Sequence, residues 1–556
     1  MDVNSHRCLL VSDFNAGPLA GYLRNDAESP VVEVVEAPYG AVESALLPEH
    51  AAWQQAPDCA VVWTRPQAVS AAFATLCQGE QVEVQRLEED VQRFAALLAA
   101  ASRRLRALLV PLWTVPALVR GLGVGDLKQG GVAWALLHMN AQLVRCAEEE
   151  PQLFALEAQH WGAAARGHAF DPKLWYMGKI AFANPVFRDA VHEIKAALRA
   201  LDGRSKKLVV LDLDETLWGG IVGEVGWRGL RLGGHDHVGE AHADFQRALK
   251  ALAQRGVLLA LASRNEEDVA LEAIDTHPEM VLRRDDFAAW RIHWGDKAES
   301  VAALVQELNI GLQDVVFIDD SAAERARVRS ALPEVLVPEW PADPTRYVEA
   351  LAALRCFDTV SLSREDSERT QLYAVERRRR QSQAKVSSLQ QWLQSLELQV
   401  DAVRLSADHS GRAAQLLNKT NQMNLRTRRL GEAELLEWAA GPGREFWIFR
   451  VADRFGEAGL TGLLGLEKES ETVCVSDFVL SCRVMGRQVE EAILHFATQR
   501  GWQMGGQSLV AQYAATEKNK PCLDLFARLF PEPNGHSFGW DLAQLFPLPP
   551  HVQLQI

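Results

Sequence analysis

Short uninterrupted apolar runs alternate with amphipathic stretches along most of the chain. LVVL (Leu208–Leu211), LLALAS (Leu258–Ser263) and VVFI (Val315–Ile318) are too short for buried helices and show no polar alternation. They predict strands of a parallel sheet covered on both faces. Between them, Ala241–Arg255 and Asp296–Leu308 have the spacing of amphipathic helices, which completes a β/α alternation. The N-terminal third repeats the theme. CLLVSDFNAGPLAGYLR passes from a strand through a turn into a helix, and CAVVWTRP (Cys59–Pro66) is a second strand. Val82–Ala107 predicts a helix with charges along one side, LRALLVPLW another strand, and Gly130–Glu149 a further helix. Near residue 399 a new α/β unit begins, in which DFVLSCRVMGRQVEEAIL (Asp477–Leu494) runs from a strand through an Arg/Gly junction into an amphipathic helix. The stretch from 356 to 398 reads as a helical connector. Its run Arg377–Arg380 lies near Glu365, Asp366, Glu368 and Glu376 and predicts a solvated helix, open to contact with an acidic partner. The fold class expected is therefore α/β and multidomain, with units at 1–200, 201–355 and 399–556 joined by the connector 356–398.

A length of 556 residues fits about three or four domains. The apolar content of 48% and charged content of 24% are those of an ordinary folded chain. A formal charge of −15 argues against a nucleic-acid partner, which wants a basic field. MDVNSHRCLLVSDF lacks the charged region and long apolar core of a signal peptide, and the apolar stretch Phe94–Ala101 is cut short by Arg103 and Arg104, so no membrane span is expected. Eight scattered cysteines without a CxxC pair read as reduced thiols, and a cytoplasmic setting follows.

The chemistry concentrates where the apolar strands end. Asp212 and Asp214 directly follow LVVL, and ligands of open α/β sheets bind outside the strands' carboxyl ends. Of two carboxylates so spaced, the first can attack phosphorus and hold a hard cation, while the second moves a proton to and from the leaving group. Ser263 closes the second strand with a hydroxyl for a phosphoryl oxygen. Lys297 supplies positive charge, and Asp319-Asp320 close the third strand as Mg²⁺ ligands. Only 48 residues lie between Asp214 and Ser263, and 33 between Ser263 and Lys297, too few for a sizeable cap domain. A site of this kind must be closed by a small flap, another domain or the substrate itself, which suits a large or tethered substrate.

The order Asp-x-Asp, Ser, Lys, Asp-Asp resembles the haloacid-dehalogenase (HAD) phosphatase superfamily, and implies a central Rossmann-like domain with a parallel sheet and no large cap. The N-terminal layout resembles an SGNH-hydrolase-like domain. Its catalytic pattern is degenerate: Ser12-Asp13 only faintly matches the nucleophile block, Asp171 has Trp175 and Tyr176 nearby but no His three residues on, and Asn140 is the one further correspondence. A non-hydrolytic scaffold or docking role is expected. The C-terminal junction resembles the pyrophosphate loop of GNAT acyltransferases, in which Arg and Gly let backbone N–H groups and a helix dipole grip a phosphate. Cys482, beside Arg483 and near a helix start, reads equally as a thiol inclined to thiolate and as a buried small hydrophobe.

Taken together, DLDETLWGG, SRNEEDV, FIDDSAAER, NKTNQMNLRTRR, DRFGEAGLTG and SCRVMGR, in that order, resemble the FkbH-like proteins of polyketide biosynthesis. The resemblance implies an enzyme that uses 1,3-bisphosphoglycerate, removes phosphate and loads a glyceryl unit onto the phosphopantetheine thiol of an acyl carrier protein. It implies Asp212 as phosphoryl-accepting nucleophile and Asp214 as general acid/base. Ser263 and Lys297 would bind phosphate, and Asp212, Asp214 (through its backbone carbonyl), Asp319 and Asp320 would hold Mg²⁺. Cys482 would carry the acyl group, and Arg428, Arg483, Gly486 and Arg487 would face the phosphopantetheine or its carrier. Some relatives have a cysteine just before the second-motif serine, where this chain has Ala262. The competing expectation is a stand-alone Mg²⁺-dependent phosphatase of a small phosphorylated metabolite.

Overall fold

The computed structural model describes residues 5–165, 168–234, 236–360, 379, 388–420, 422–516, 519–530 and 536–556. The chain divides into two compact units, residues 1–282 with 291–367, and residues 368–556 with 283–290. Both are mixed α/β, as the patterning predicts.

In the first unit, β1 (Ser5–Ser12), β2 (Val31–Glu36), β3 (Cys59–Trp63), β4 (Ala107–Pro111) and β5 (Leu153–Leu156) form an all-parallel sheet of order β2-β1-β3-β4-β5. Cys59–Trp63 and Ala107–Pro111 are buried at every position, because helices cover both faces. Val84–Ser102 lies on one side with the buried apolar residues Leu87, Val91, Phe94 and Leu98. Asn184–Leu201 lies on the other with Val186, Phe187, Ala190 and Ile194.

A second sheet follows, of order β8-β7-β6-β9: β6 (Leu208–Leu211), β7 (Leu258–Ser263), β8 (Ala289–Ile292) and β9 (Val315–Ile318). The central strand β6 pairs in parallel with β7 on one side and β9 on the other, with Leu211 level with both Leu261 and Ile318. That register aligns the three strand ends. The chain enters the neighbouring helices through side-chain caps. Asp236 accepts from the N–H groups of Val238 and Gly239, Asp296 from those of Ala298 and Glu299, and Ser321 from that of Glu324. Capping by Asp296 makes Lys297 the first residue of its helix, Lys297–Leu308.

The second unit is built on a seven-stranded mixed sheet of order β15-β14-β13-β12-β11-β10-β16. Its members are β10 (Leu398–Arg404), β11 (Arg444–Asp453), β12 (Gly456–Glu469), β13 (Thr472–Leu480), β14 (Ser508–Gln512), β15 (Ser537–Asp541) and β16 (Val552–Gln555). β13 and β14 are parallel, and the chain crosses between them through the helix Val489–Gln503.

Two expectations need correction here. The helix Val489–Gln503 is not amphipathic: it is buried on several sides, and its buried residues include Glu490, Glu491 and Thr498 beside Ile493, Leu494 and Phe496. The arginine run is not wholly solvated. Arg379 is buried and grips Asp453 with Nε at 2.6 Å and Nη2 at 2.9 Å, Nη2 also reaching the Gly456 carbonyl at 3.1 Å. Arg377, Arg378 and Arg380 lie outside the described residues, as does most of the connector expected at 356–398.

Candidate active site

The ends of β6 and β9 and the start of the helix Lys297–Leu308 bring four expected side chains together, those of Asp212, Lys297, Asp319 and Asp320. Asp212 and Asp319 lie one residue past β6 and β9, and the Asp212 N–H donates to the Ile318 carbonyl at 3.1 Å. Lys297, whose side chain is 5% exposed, bridges them with Nζ 2.8 Å from Asp212 Oδ2 and 2.6 Å from Asp319 Oδ2. Asp319 Oδ1 accepts from the Ser321 N–H at 2.8 Å. Asp212 Oδ1 is buried and has no hydrogen-bond partner among the described residues. Carboxylate oxygens of Asp212, Asp319 and Asp320 lie within 4.8 Å of one another.

These carboxylates repel each other in a low-dielectric setting. Burial, then the charge of Asp212, raises the Asp319 carboxyl to about 6, against the pull of Lys297. Burial and Asp212 also raise Asp320. Lys297 is raised, because two carboxylates outweigh its own burial. Three convergent acids, one oxygen left bare and only one lysine to balance them are the donor set a hard divalent cation requires.

Asp214 is held differently. Its Oδ1 accepts from the Trp218 indole N–H at 2.8 Å and the Val222 N–H at 3.0 Å, and its Oδ2 accepts from Asn265 Nδ2 at 2.9 Å. Three donors thus fix the direction of the Asp214 carboxylate. Glu215 beside it takes a left-handed conformation (φ 55°), with its carbonyl accepting from the Tyr347 hydroxyl at 3.0 Å. Strain of this kind persists where surrounding bonds over-determine it. Ser263 is buried, and its Oγ accepts from Asn265 Nδ2 at 3.2 Å.

Sequence reasoning gave no role to Asn265, Trp218 or Thr216. Asn265 touches both Asp214 and Ser263, and its place two residues after Ser263 at a strand end was the available signal. Thr216 joins the loop after β6 to Asp320, whose N–H donates to Thr216 Oγ1 at 3.2 Å. Arg325 is a further omission. Buried, it donates from Nη1 to the carbonyls of Asp319 and Asp320 at 2.8 and 2.7 Å, fixing the turn that presents both acids.

The other expected residues lie in the second unit. The backbone of Cys482 belongs to the short turn Cys482–Val484 after β13; its side chain lies outside what the structure describes. The surrounding groups are engaged internally. Gly486 (φ 76°) donates its N–H to Glu490 Oε1 at 3.0 Å, and Gln488 at the helix start is left-handed (φ 62°). Arg487 is buried, with Nη1 3.6 Å from Asp453 and Nη2 donating to the Arg483 carbonyl, while Arg483 Nε donates to Ser481 Oγ at 3.2 Å. Arg428 forms a fork with the buried Asp477 and stacks 4.6 Å from the Trp438 ring centre.

In the N-terminal sheet, Ser12 Oγ accepts from the Phe14 N–H, and Asp171 caps the helix Pro172–Gly178. Asn140 spends both ends of its amide on the Trp113 backbone, accepting from N–H at 3.0 Å and donating to C=O at 2.8 Å. None of these groups is arranged as a hydrolytic triad.

No family model matches the chain, and no curated protein does. Among solved structures the chain is similar to the N-terminal part of the protein BF1531 from Bacteroides fragilis, described as containing a phosphatase domain complexed with Mg. The two are 27% identical with a TM-score of 0.58, over 65% of this chain and 97% of that one. An acetyltransferase of the GNAT family from Staphylococcus aureus Mu50 also matches, at 8% identity and a TM-score of 0.21, over 26% of this chain and 99% of that one. No helix among the described residues is long and apolar enough to cross a membrane.

Proposed function

We propose that the chain is a Mg²⁺-dependent phosphatase working through an aspartyl-phosphate. The observation that carries this is the buried, unpartnered Asp212 Oδ1 beside Lys297, which already neutralises the other oxygen. The phosphatase domain with Mg in the similar Bacteroides structure supports it.

The residues divide the work. An oxygen of Asp212 attacks phosphorus, and the P–O bond to the leaving group breaks. Asp214, protonated at that stage, gives its proton to the departing oxygen, then takes one from the water that cleaves the aspartyl-phosphate. Trp218, Val222 and Asn265 fix the direction of that transfer. Lys297 and the Ser263 hydroxyl hold the phosphoryl oxygens. Asp212, Asp319, Asp320 and the Asp214 carbonyl would hold Mg²⁺, which when bound offsets charge developing on the phosphoryl oxygens.

The finer reading rests on the ordered motifs DLDETLWGG to SCRVMGR. On it the substrate is 1,3-bisphosphoglycerate, Cys482 takes the glyceryl group from the acyl phosphate, and the group passes to the phosphopantetheine thiol of an acyl carrier protein while the 3-phosphate is removed at Asp212. A second reading, the stand-alone phosphatase, is favoured by the engagement of Gly486, Arg483 and Arg487 within their own junction. Intact-protein mass spectrometry separates the two. With Mg²⁺, 1,3-bisphosphoglycerate generated in situ and a phosphopantetheinylated carrier, the finer reading expects a glyceryl adduct on the carrier. That adduct should be lost in Cys482→Ala and stalled as phosphoglyceryl in Asp212→Asn. Phosphate release without any adduct leaves the stand-alone phosphatase.

A further inference from the structure

A mixed cluster of imidazole, carboxylate and thiol groups lies at the amino ends of β1 and β3, outside the site already described. Alternation along β1 puts His6 and Cys8 on one face, and the register sets Cys8 level with Cys59, the first residue of β3. Both cysteines belong to the core packed against the helix Asn184–Leu201. Asp58 directly precedes β3 and is pinned by its backbone. Its N–H donates to the Arg7 carbonyl at 3.0 Å, and its carbonyl accepts from the Arg106 N–H at 2.8 Å. One donor atom each of His6, Asp58 and Cys59 thereby comes within 4.8 Å of the others. His6 and Cys59 are buried, whereas the Asp58 side chain is 25% exposed and opens the cluster to solvent.

His6 faces a carboxylate at each ring nitrogen, with Asp202 Oδ2 3.0 Å from Nε2 and Asp58 Oδ1 3.4 Å from Nδ1. A neutral imidazole has one N–H, and the shorter contact assigns it to Asp202. Nδ1 then turns a lone pair on the Asp58 carboxylate, and two such atoms in a buried setting call for a cation between them. A second proton on the ring would draw the pair to about 2.7–3.2 Å. The 3.4 Å separation instead matches two ligand atoms that each stand about 2.0–2.1 Å from one tetrahedral zinc, which lie about 3.3 Å apart. Asp202 ends the helix Asn184–Leu201 and is itself held by Arg106 Nη2 at 3.0 Å. It stands where a zinc-bound histidine commonly has an outer carboxylate, on the second ring nitrogen. Cys59 makes the donor set one of nitrogen, oxygen and sulfur, which suits a borderline-soft ion and not Mg²⁺.

We propose that His6 Nδ1, Asp58 Oδ1 and Cys59 Sγ bind one Zn²⁺, with solvent completing its coordination and Asp202 orienting His6 from the far side of the ring. The ion takes the place of the Cys59 thiol proton. Cys8 stays off the ion. The site ties β1 to β3 and, through Asp202, to the end of the helix that covers them.

Elemental analysis and cobalt substitution of the full chain test this, with Mg²⁺ in excess so that it fills the acidic cluster after β6 and β9. The parent should retain about one zinc per chain, with a dissociation constant on the order of 10⁻⁷ M or tighter. Co²⁺ in its place should show thiolate-to-metal charge transfer in the near ultraviolet and the intense visible bands of a four-coordinate ion. An all-oxygen site gives no such charge transfer. Cys59→Ala and His6→Gln should each abolish zinc retention. Asp202→Asn should weaken it about ten-fold, and Cys8→Ala should leave the zinc content and the charge-transfer band in place. Phosphate release from an aryl phosphate should be unchanged in all four variants, which reports that they fold. If Cys59→Ala does not fold, the zinc content and cobalt spectrum of the parent decide alone. A parent without stoichiometric zinc, a cobalt spectrum without charge transfer, or a band that survives Cys59→Ala would each overturn the proposal. The first two results would leave His6 as a doubly protonated ring between two acids.

Discussion

Two places in this molecule gather charge and glycine after an apolar strand, and they end up in opposite states. After β6 the acids converge and one buried oxygen is left bare, so the site is short of positive charge. After β13 the cations and the glycine N–H close on their own surroundings, Gly486 on Glu490 and Arg487 on Asp453. Like charges brought together by a fold demand an external partner, whereas opposite charges brought together satisfy each other. Only the first arrangement announces a ligand by itself.

The sharpest way to break that contrast is Asp212→Asn. Phosphate release from an aryl phosphate with Mg²⁺ should fall on the order of 10³-fold or more, with the thermal midpoint little changed. Survival of activity would remove Asp212 as nucleophile. Lys297→Met should cost about 10²–10³-fold in the same assay. It also leaves Asp212 and Asp319 facing each other unneutralised, so Mg²⁺ should raise the variant's thermal midpoint more than that of the parent. An equal rise in both would show that Lys297 does not balance the acids.

On the other side of the comparison, Arg428→Glu sets a carboxylate against the buried Asp477 and should destabilise the fold by about 3–5 kcal/mol. Arg428 is therefore a structural residue of its unit. Arg426 is exposed instead, and Arg426→Glu should leave denaturant stability unchanged. Equal losses in both variants would contradict the internal role of Arg428. The smallest effect concerns Glu490, whose carboxyl is raised by burial. A carboxyl raised in the folded state contributes its stability below the unfolded-state value and loses it as pH rises through the folded value. Glu490→Gln should thus be stabilised relative to the parent by a few degrees at pH 8 and by less at pH 5. A difference that does not grow with pH would show that Glu490 is not held at a raised value.

The acids, the serine and the lysine of the first site were legible because each sits at the end of an apolar strand or at the first position of a capped helix, where local patterning and topology suffice. What held them was not. Asn265 reaches Asp214 across 51 residues, and Arg379 reaches Asp453 across 74. Pairings of this kind leave no mark in hydrophobic periodicity. The run Arg377–Arg380 read as solvated because its neighbours in sequence are acidic, while the partner of Arg379 is a buried acid far along the chain. The junction after β13 shows the same limit. Its Arg/Gly pattern gives no sign that the Gly486 N–H donates to Glu490, four residues on. Ala262, where some relatives have a cysteine, is fully buried within β7, so that position offers neither a thiol nor access.

Lys297 stands as a built-in counter-ion between two acids before any cation arrives. Chelation should then silence the protein without unfolding it. A cell short of divalent metal would hold a stock of finished, dormant chains that return to work as soon as the ion does, with no renewed folding or synthesis.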